Sequence, residues 1–194
     1  MTPAPGRSRW RSCMREYLGI LAWIMAVTAA GKLFRTWWPI DVSSIPLLLT
    51  DTVAFGSTVL PAWVYLSVSE AGARQAGWGK RAEHLRVVAT RRSGALGLWR
   101  AGLRNAVKLL PWQLAHIGVV RSILSVDEHA IINATLALAM AMPVVSLLVA
   151  WRDPQHRALH DLVAGTRVIS ERSPISRQAS TVPTPARIGC QNSS

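Results

Sequence analysis

Apolar stretches alternate with blocks rich in arginine and lysine along the whole chain. The longest apolar stretch is residues 130–151, AIINATLALAMAMPVVSLLVAW, with 22 residues and no charged side chain. At about 1.5 Å per helical residue it reaches about 33 Å, and the hydrocarbon core of a bilayer is about 30 Å thick. A chain of 194 residues has too few other apolar elements to bury this helix on every side. The pattern therefore predicts a polytopic membrane protein.

The first apolar stretch, residues 18–30, follows a basic segment, residues 1–16. It predicts a transmembrane helix that Lys32, Arg35 and the pair Trp37–Trp38 anchor at the far interface. Arginines followed by an apolar run and small residues also fit a secretory signal peptide. The later apolar stretches favour the transmembrane helix.

The second stretch, residues 47–68, predicts a span with Asp51 near its outer end and Pro61 in its interior. A proline removes one helical hydrogen bond, and in lipid the freed carbonyl needs a neighbouring side chain or water as its donor. We expect a packing kink at Pro61. Asp51 lies about one turn inside the span, so its carboxylate can snorkel to the interface.

The third stretch is marginal, because residues 109–120 supply only 12 uncharged positions and include His116. Two alternatives are open: the stretch crosses by recruiting apolar neighbours, or it dips into the bilayer as a re-entrant segment. A crossing gives four spans and places 19 of the 22 Lys and Arg residues on one side. The positive-inside rule favours this arrangement, with both termini in the cytoplasm.

The polar block after the second span contains a predicted strand. Residues 84–96, HLRVVATRRSGAL, predict a short strand and a Ser93–Gly94 turn, with room for a return strand. The predicted fold is therefore all-α, with about four spans, a cytoplasmic amphipathic helix and a short β-hairpin.

The amphipathic helix follows the hairpin. Its cations Arg100, Arg104 and Lys108 recur every four residues opposite an apolar face. This pattern is typical of a helix that lies in the headgroup plane, where the three cations would bind anionic lipid. We expect the helix to leave the interface at Pro111 and Trp112.

Charge and composition narrow the class of protein further. The formal net charge is +12, but the basic residues form separate blocks and no continuous basic face of the kind that binds nucleic acid. Residues 173–194 are rich in Ser, Thr, Pro and Gln, and we expect them to be disordered. The two cysteines lie in the two tails and indicate no disulfide framework.

Most enzyme signatures are absent from the sequence. Gly79–Lys80 does not belong to a phosphate-binding loop, because Arg81 follows where Ser or Thr is needed. His156 and His160 stand four residues apart beside Asp161, which allows a metal pair, but no third ligand is near. We therefore expect neither an enzyme nor a cofactor or metal site.

Three blocks of sequence, GWGKRAEHLRVV, RAGLRNAVKLLPWQLAH and RALHDLVAGTRVI, resemble in their order the RDD family of bacterial membrane proteins. The resemblance covers about residues 60–169, and it implies an RDD-like transmembrane domain, residues 17–172, between a basic cytoplasmic tail, residues 1–16, and the C-terminal tail. The family-motif residues are, in chain order, Arg15, Gly79, Lys80, Arg104, Asn105, Pro111, Trp112, His116, His160, Asp161, Gly165 and Thr166.

The family takes its name from an arginine and two aspartates. By resemblance Arg15, or less readily Arg11, corresponds to the arginine, and Asp161 corresponds to the C-terminal aspartate. The first-span aspartate has no counterpart, because Ala22 stands seven residues after Arg15 and no acid occurs between Tyr17 and Ile40.

The resemblance implies transport, with sodium–proton exchange suggested for some members, in the bacterial plasma (inner) membrane. We expect a multi-pass protein that takes part in moving ions or small solutes. The missing first-span acid weakens the expectation of an autonomous cation exchanger. The alternative is a non-catalytic module that binds anionic lipid, a partner membrane protein or a second copy of the chain.

Asp161 is the acid that both its context and the resemblance single out. A carboxylate buried at the interface needs a basic partner to offset its desolvation. Arg15 enters the first span from the same side, so we predict that Arg15 and Asp161 form an ion pair between the first span and the C-terminal segment. A relay role for Asp161 is the alternative.

Overall fold

The computed structural model of the protein describes residues 4–39, 41, 44–90, 96–124 and 129–171. The helical segments, in chain order, are α1 (Gly6–Trp37), α2 (Leu47–Ala54), a π-helical turn (Phe55–Val59), α3 (Leu60–Ala71), α4 (Trp78–Ala82), α5 (Leu98–Ile123), α6 (His129–Arg152) and α7 (Leu159–Ala164). Two strands, β1 (Leu85–Ala89) and β2 (Thr166–Ser170), form a small antiparallel sheet. This mostly helical architecture confirms the predicted fold class.

Three helical segments in the described part of the chain are long and apolar enough to cross a membrane: Gly6–Trp37, Leu47–Ala71 and His129–Arg152. They coincide with the first, second and fourth predicted spans. Helix α1 already begins at Gly6, and Ser12 and Glu16 are buried on it. Residues 6–16 are therefore part of the first helix and not a separate tail, because this end of α1 packs against the rest of the protein.

The second span is continuous from α2 to α3 and contains the π-helical turn just before Pro61. Proline has no N–H, so it cannot donate to the carbonyl of Ser57 four residues earlier. The indole Nε1 of Trp23 on α1 donates to that carbonyl at 3.1 Å. A side chain of the first span thus satisfies the backbone group that Pro61 leaves free, as lipid surroundings require.

Helix α5 is 26 residues long and continues through Pro111. It contacts the second span through ion pairs at two levels, Arg104 with Glu70 and Arg121 with Asp51. The helix between Arg104 and Arg121 is about 26 Å long, close to the hydrocarbon thickness of about 30 Å. Helix α5 is therefore antiparallel to the second span over its depth, although it is less apolar than the three candidate spans, and the predicted exit of a surface helix at Pro111 is wrong.

The sheet joins two segments that are far apart in sequence. Strand β1 confirms the predicted strand, but its partner is β2, with Leu85 opposite Ser170 and Ala89 opposite Thr166. Among the described residues no local return strand follows β1, because α5 already begins at Leu98. The predicted Ser93–Gly94 turn lies outside the described residues. Residues 173–194, expected to be disordered, also lie outside them. The buried residues that pack around the sheet are Ala4, Leu85, Val87, Ala89, Leu96, Ala101 and Val168.

Candidate functional site

Six charged side chains meet at one end of the helices, beside the sheet, and we call them the ion-pair cluster. Its members are Glu16, Glu70, Lys80, Arg104, Lys108 and Asp161. None of these side chains is more than 8% exposed. A buried charge is costly unless it is paired and hydrogen-bonded, so the geometry of each contact decides whether the cluster is stable.

Arg104 of α5 lies at the centre of the cluster. Its Nη1 donates to Glu70 Oε1 at 2.6 Å and to Oε2 at 2.7 Å, and its Nε donates to Asp161 Oδ1 at 2.9 Å. The next residue, Asn105, donates from Nδ2 to Glu70 Oε2 at 3.1 Å. One helical turn of α5 thus holds the end of α3 and the start of α7 together.

Asp161 accepts hydrogen bonds from four elements of the structure. Besides Arg104, the donors are Thr166 Oγ1 at 3.2 Å, the N–H of Ala158 at 3.2 Å and Arg9 Nη2 at 3.3 Å. Burial, the largest single influence, raises the pKa of Asp161, but the charge and hydrogen bond of Arg104 together with the charges of His160 and Arg9 outweigh it and lower the pKa to about 2. Asp161 is therefore an ionised carboxylate that joins α1, α5, α7 and β2.

The predicted pair of Arg15 and Asp161 is wrong. Arg15 Nη1 lies 2.7 Å from Glu83 Oε1, just after α4, while Asp161 pairs with Arg104 and Arg9. Arg9 lies nearly two helical turns before Arg15 on α1, so the N-terminal segment does contact the C-terminal one, but through a different arginine.

Glu16 forms the other half of the cluster with two lysines. Lys80 Nζ lies 2.6 Å from Glu16 Oε1, and Lys108 Nζ lies 2.5 Å from Glu16 Oε2. Lys80 Nζ is also 2.9 Å from Glu70 Oε1, so one ammonium bridges acids on the first and second spans. Three buried carboxylates thus face three buried cations, and Arg9, 18% exposed, adds a fourth cation at the edge.

Gly79 permits the close approach of α4 to α1 that brings Lys80 to Glu16. A Cβ at this position would lie 2.4 Å from the carbonyl oxygen of Ser12 and 2.8 Å from Glu16 Cγ. No side chain fits there without moving backbone. The glycine next to Lys80 in the motif therefore has a packing reason.

Arg104 and Lys108 do not form the predicted lipid-binding surface, because both are buried in ion pairs with acids of other helices. Arg100 is exposed, as expected of a headgroup contact. The three cations lie on one face of α5. This face is exposed at Arg100, in the first turn of the helix, and is buried at Arg104 and Lys108.

Other family-motif residues surround the cluster or lie away from it. Gly165 ends α7 in the left-handed conformation, with φ of 62°, which suits glycine. Trp112 stacks on Tyr17 of α1 with 5.9 Å between ring centroids; on the same helix α5, Pro111 directly precedes Trp112 and His116 lies about one turn beyond it. The motif residues that belong to the cluster, donate hydrogen bonds to it or pack against it are Gly79, Lys80, Arg104, Asn105, Asp161 and Thr166.

His160 lies beside the cluster with Nε2 at 3.8 Å from Asp161 Oδ2. Burial, with Arg104 as a nearby positive charge, lowers the pKa of His160 to about 3. The imidazole is therefore neutral near pH 7. His156 is exposed, and its Nδ1 lies 3.3 Å from the carbonyl oxygen of Ala150. Over the described ranges, no three His, Cys, Asp or Glu side chains are grouped to hold a metal ion.

Glu16 and Glu70 are functional candidates that the sequence analysis missed. Glu16 stands one residue before the stretch from Tyr17 to Ile40, which contains no acid, and Glu70 lies at the start of the predicted polar block. The feature that could have identified them is their position, because each lies on a helix that is continuous with a span. Without the fold, neither acid could be assigned its basic partners.

A cavity of about 370 Å³ lies between α1 and α3. Its lining residues are Glu16, Gly19, Ile20, Trp23, Pro61, Ala62, Tyr65, Leu66 and Trp78. Glu16 is the member of the ion-pair cluster that lines this cavity. The cavity therefore connects the charged cluster with the mostly apolar, aromatic space between the first two spans.

Comparison with known proteins places the chain in a family of membrane proteins. No curated protein and no solved structure matches the chain. The sequence model of the RDD family matches residues 17–165, which include five of the six cluster residues. Since this match covers well over half of the sequence, the protein belongs to the RDD family.

Proposed function

We propose that this protein of the bacterial plasma membrane moves a monovalent cation or a small solute, with Glu16 as the carboxylate that meets the transported species. Both termini lie in the cytoplasm, and the protein transports without a catalytic step. The observation that carries the proposal is the position of Glu16. Its carboxylate is buried on the first span, held by two lysines, and lines the cavity between α1 and α3.

The energetics of buried charges favour a functional role for the ion-pair cluster over a purely stabilising one. A fully paired buried cluster often adds little stability relative to an apolar core, because desolvation offsets the attraction. Ionisable groups at membrane depth are commonly found where ions or protons pass. Glu16 lies two residues before the apolar stretch of the first span, so helix α1 carries an acid although the apolar stretch itself has none.

The test is flux into vesicles made with the purified full-length protein and a pH-sensitive dye inside. A pulse of NaCl, KCl or LiCl should change the internal pH with wild-type protein, and choline chloride should not. Glu16→Gln keeps the shape of the side chain and should abolish the signal. Absence of flux with wild-type protein for every cation and for small-solute gradients would refute a transport function.

The matched control for Glu16→Gln is Asp153→Asn, which removes a carboxylate outside the ion-pair cluster that pairs with Arg157 four residues later. This variant should retain wild-type flux. Vesicles are compared at equal amounts of protein that elutes as a single folded species. Equal loss of flux in both variants would show that charge removal, and not the position of Glu16, causes the effect.

Binding of anionic lipid is the second candidate function, and a surface of exposed arginines favours it. These arginines lie at the cluster end of the helices: Arg7, Arg11, Arg74, Arg81, Arg86, Arg100 and Arg152. Each cation near an anionic surface contributes about 1 kcal/mol of attraction at low salt. Lys32 and Arg35 lie at the opposite end of α1 and serve as the control.

Anionic phospholipid should therefore raise the melting temperature of the detergent-solubilised protein. Changing Arg7, Arg11, Arg81 and Arg100 together to Gln should remove most of this rise, and changing Lys32 and Arg35 to Gln should not. Equal stabilisation by neutral and anionic lipid would remove this candidate.

A further inference from the structure

Three aromatic side chains from three helices line the cavity between α1 and α3. They are Trp23 of α1, Tyr65 of α3 and Trp78 of α4, and their side chains are 45%, 47% and 56% exposed. Trp23 lies seven residues, or about 10 Å, beyond Glu16 along α1, so the cavity extends well into the first span. Apolar and aromatic walls with one or two polar groups are typical of small-molecule sites.

Hydrogen bonds hold the rings in place without using the cavity. Trp23 Nε1 donates to the carbonyl of Ser57 at 3.1 Å, and the Tyr65 hydroxyl accepts the backbone N–H of Trp78 at 3.3 Å. A site whose side chains are already ordered loses less conformational entropy when a ligand binds. The aromatic part of the cavity is therefore formed before any ligand enters.

The charge at the cavity favours a cation. The Glu16 carboxylate lines it, whereas Lys80 and Lys108, which pair with Glu16, are not among its described lining residues. The charged group nearest to an occupant is therefore negative. The faces of aromatic rings also attract positive charge, most strongly where water is excluded. An anion would have neither interaction.

The size of the cavity favours an organic ligand. Its volume of about 370 Å³ lies in the range of small-molecule pockets, about 300–1,000 Å³. A quaternary ammonium group with an aromatic substituent fills far more of this space than an alkali ion does. Its charge is also spread over a larger radius, which lowers the cost of leaving water.

We propose that this cavity binds a hydrophobic organic cation, with the charged group near Glu16 and the apolar part against Trp23, Tyr65 and Trp78. The inference rests on the proposed function, because it names the class of small solute that meets Glu16. Gly19 also lines the cavity, and a Cβ built there meets nothing within 4 Å. The missing side chain at Gly19 therefore leaves the cavity open.

Binding is measured by isothermal titration calorimetry with purified full-length protein in detergent. Benzyltrimethylammonium carries both the charge and the ring, choline carries the charge without the ring, and benzyl alcohol carries the ring without the charge. Benzyltrimethylammonium should bind about tenfold or more tightly than either of the others. Equal binding of benzyl alcohol would indicate a site for neutral apolar molecules and overturn the proposal, as would equal binding of choline.

Gly19→Leu tests the location of the site. The leucine side chain has room to enter the cavity, so the protein should remain folded and lose binding of benzyltrimethylammonium. Gly31→Leu is the matched control, because it makes the same change on the same helix, also with nothing within 4 Å of the Cβ, outside the cavity. Unchanged binding in Gly19→Leu would overturn the proposal.

Two further variants test the cation-binding groups. Trp78→Leu keeps an apolar side chain but removes the ring, and should weaken binding about 2- to 30-fold. Trp99→Leu, at an exposed position outside the cavity, should bind as wild type does. Glu16→Gln should weaken binding of benzyltrimethylammonium and leave that of benzyl alcohol unchanged. Wild-type affinity in Trp78→Leu would contradict the proposal even if Glu16→Gln does not fold.

Uptake of radiolabelled benzyltrimethylammonium into vesicles separates this inference from the proposed function. Binding in calorimetry, without flux of this or any other cation or solute into wild-type vesicles, would leave the cavity site standing and refute transport. Flux of alkali cations into wild-type vesicles without binding of benzyltrimethylammonium would leave transport standing and refute the organic-cation site. If both hold, uptake should be lost in Gly19→Leu and retained in Gly31→Leu.

Discussion

Arg121 Nη2 lies 2.9 Å from Asp51 Oδ2, at the end of the bundle opposite the ion-pair cluster. The pair joins the last turn of α5 to the first turns of α2. Near the start of the same helix, Arg104 pairs with Glu70 at the end of α3. The second span and α5 are therefore joined by an ion pair near each end. Asp51 thus has a basic partner inside the bundle and need not reach the interface by snorkelling.

The ion pairs near both ends of α5 predict the topology of the chain. If α5 crosses with the second span, reporter fusions after Ser44, Thr90, Leu124 and Glu171 should be outside, inside, outside and inside. The charge distribution favours the cytoplasm for the cluster end. An inside reading after Leu124 would contradict a crossing by α5, and an outside reading after Glu171 would require an odd number of crossings.

Removal of Arg104 should strongly destabilise the protein. Arg104→Met leaves the carboxylates of Glu70 and Asp161 buried without their main partner. Breaking a buried ion pair from one side costs about 3–5 kcal/mol. The free energy of unfolding in detergent should fall by about this amount, measured by steric trapping or denaturant titration.

Arg15→Met is the matched control for Arg104→Met. Its pair with Glu83 has a similarly short distance, 2.7 Å, but the Arg15 side chain is 40% exposed, and pairs of this kind contribute less than about 1 kcal/mol. A loss in Arg15→Met as large as that in Arg104→Met would mean that burial does not set the strength of these pairs.

Gly79→Ala should separate α4 from α1. The added Cβ meets the backbone of Ser12, which cannot rotate away, so we expect a loss of about 1–3 kcal/mol. Gly31→Ala, in the same helix as Glu16 but with nothing within 4 Å of its Cβ, should be neutral or slightly stabilising. Thermal melting of the two variants makes the comparison, and unchanged stability of Gly79→Ala would contradict the close approach.

The apolar pattern predicted the helices well because length and periodicity suffice to place a helix in a bilayer. The three candidate spans and β1 were found in this way. Partners were harder, because ion pairs and strand pairs join residues far apart in sequence. Lys108 and Glu16, separated by 92 positions, are an example. Cations at helical spacing give the same sequence pattern whether they contact lipid or a buried acid. For this reason the sequence predicted Arg104 and Lys108 to lie on the surface, although both are buried.

Trp23 and Pro61 should be coupled through the carbonyl of Ser57. Trp23→Phe removes the indole donor and leaves this carbonyl unsatisfied beside lipid, which should cost about 1–3 kcal/mol. Pro61→Ala supplies a backbone N–H in the same helix, so Trp23→Phe should cost less in that background. A double-mutant cycle of melting temperatures measures the difference, and strictly additive effects would show that the two residues do not share this carbonyl.

His160 should make the protein less stable as the pH falls from 7 to 5. Its pKa is lowered to about 3 in the folded protein by burial and by Arg104, whereas an unfolded histidine titrates near 6.5. Below pH 6.5 the unfolded chain therefore binds a proton that the folded one does not, and acid favours unfolding. The groups that face the imidazole include Asp161, Lys80 and Lys108 as well.

His160→Gln removes the titrating group, so its stability should change less between pH 7 and 5, by on the order of 1 kcal/mol. Asp161 does not contribute in this window, because its lowered pKa means that its stabilisation is lost only below about pH 3.8, as the pH falls towards 2. Thermal melts at four pH values between 7 and 5 give the two slopes. A His160→Gln slope equal to that of wild type would mean that the imidazole of His160 binds protons equally in the folded and unfolded protein, which would contradict the lowered pKa.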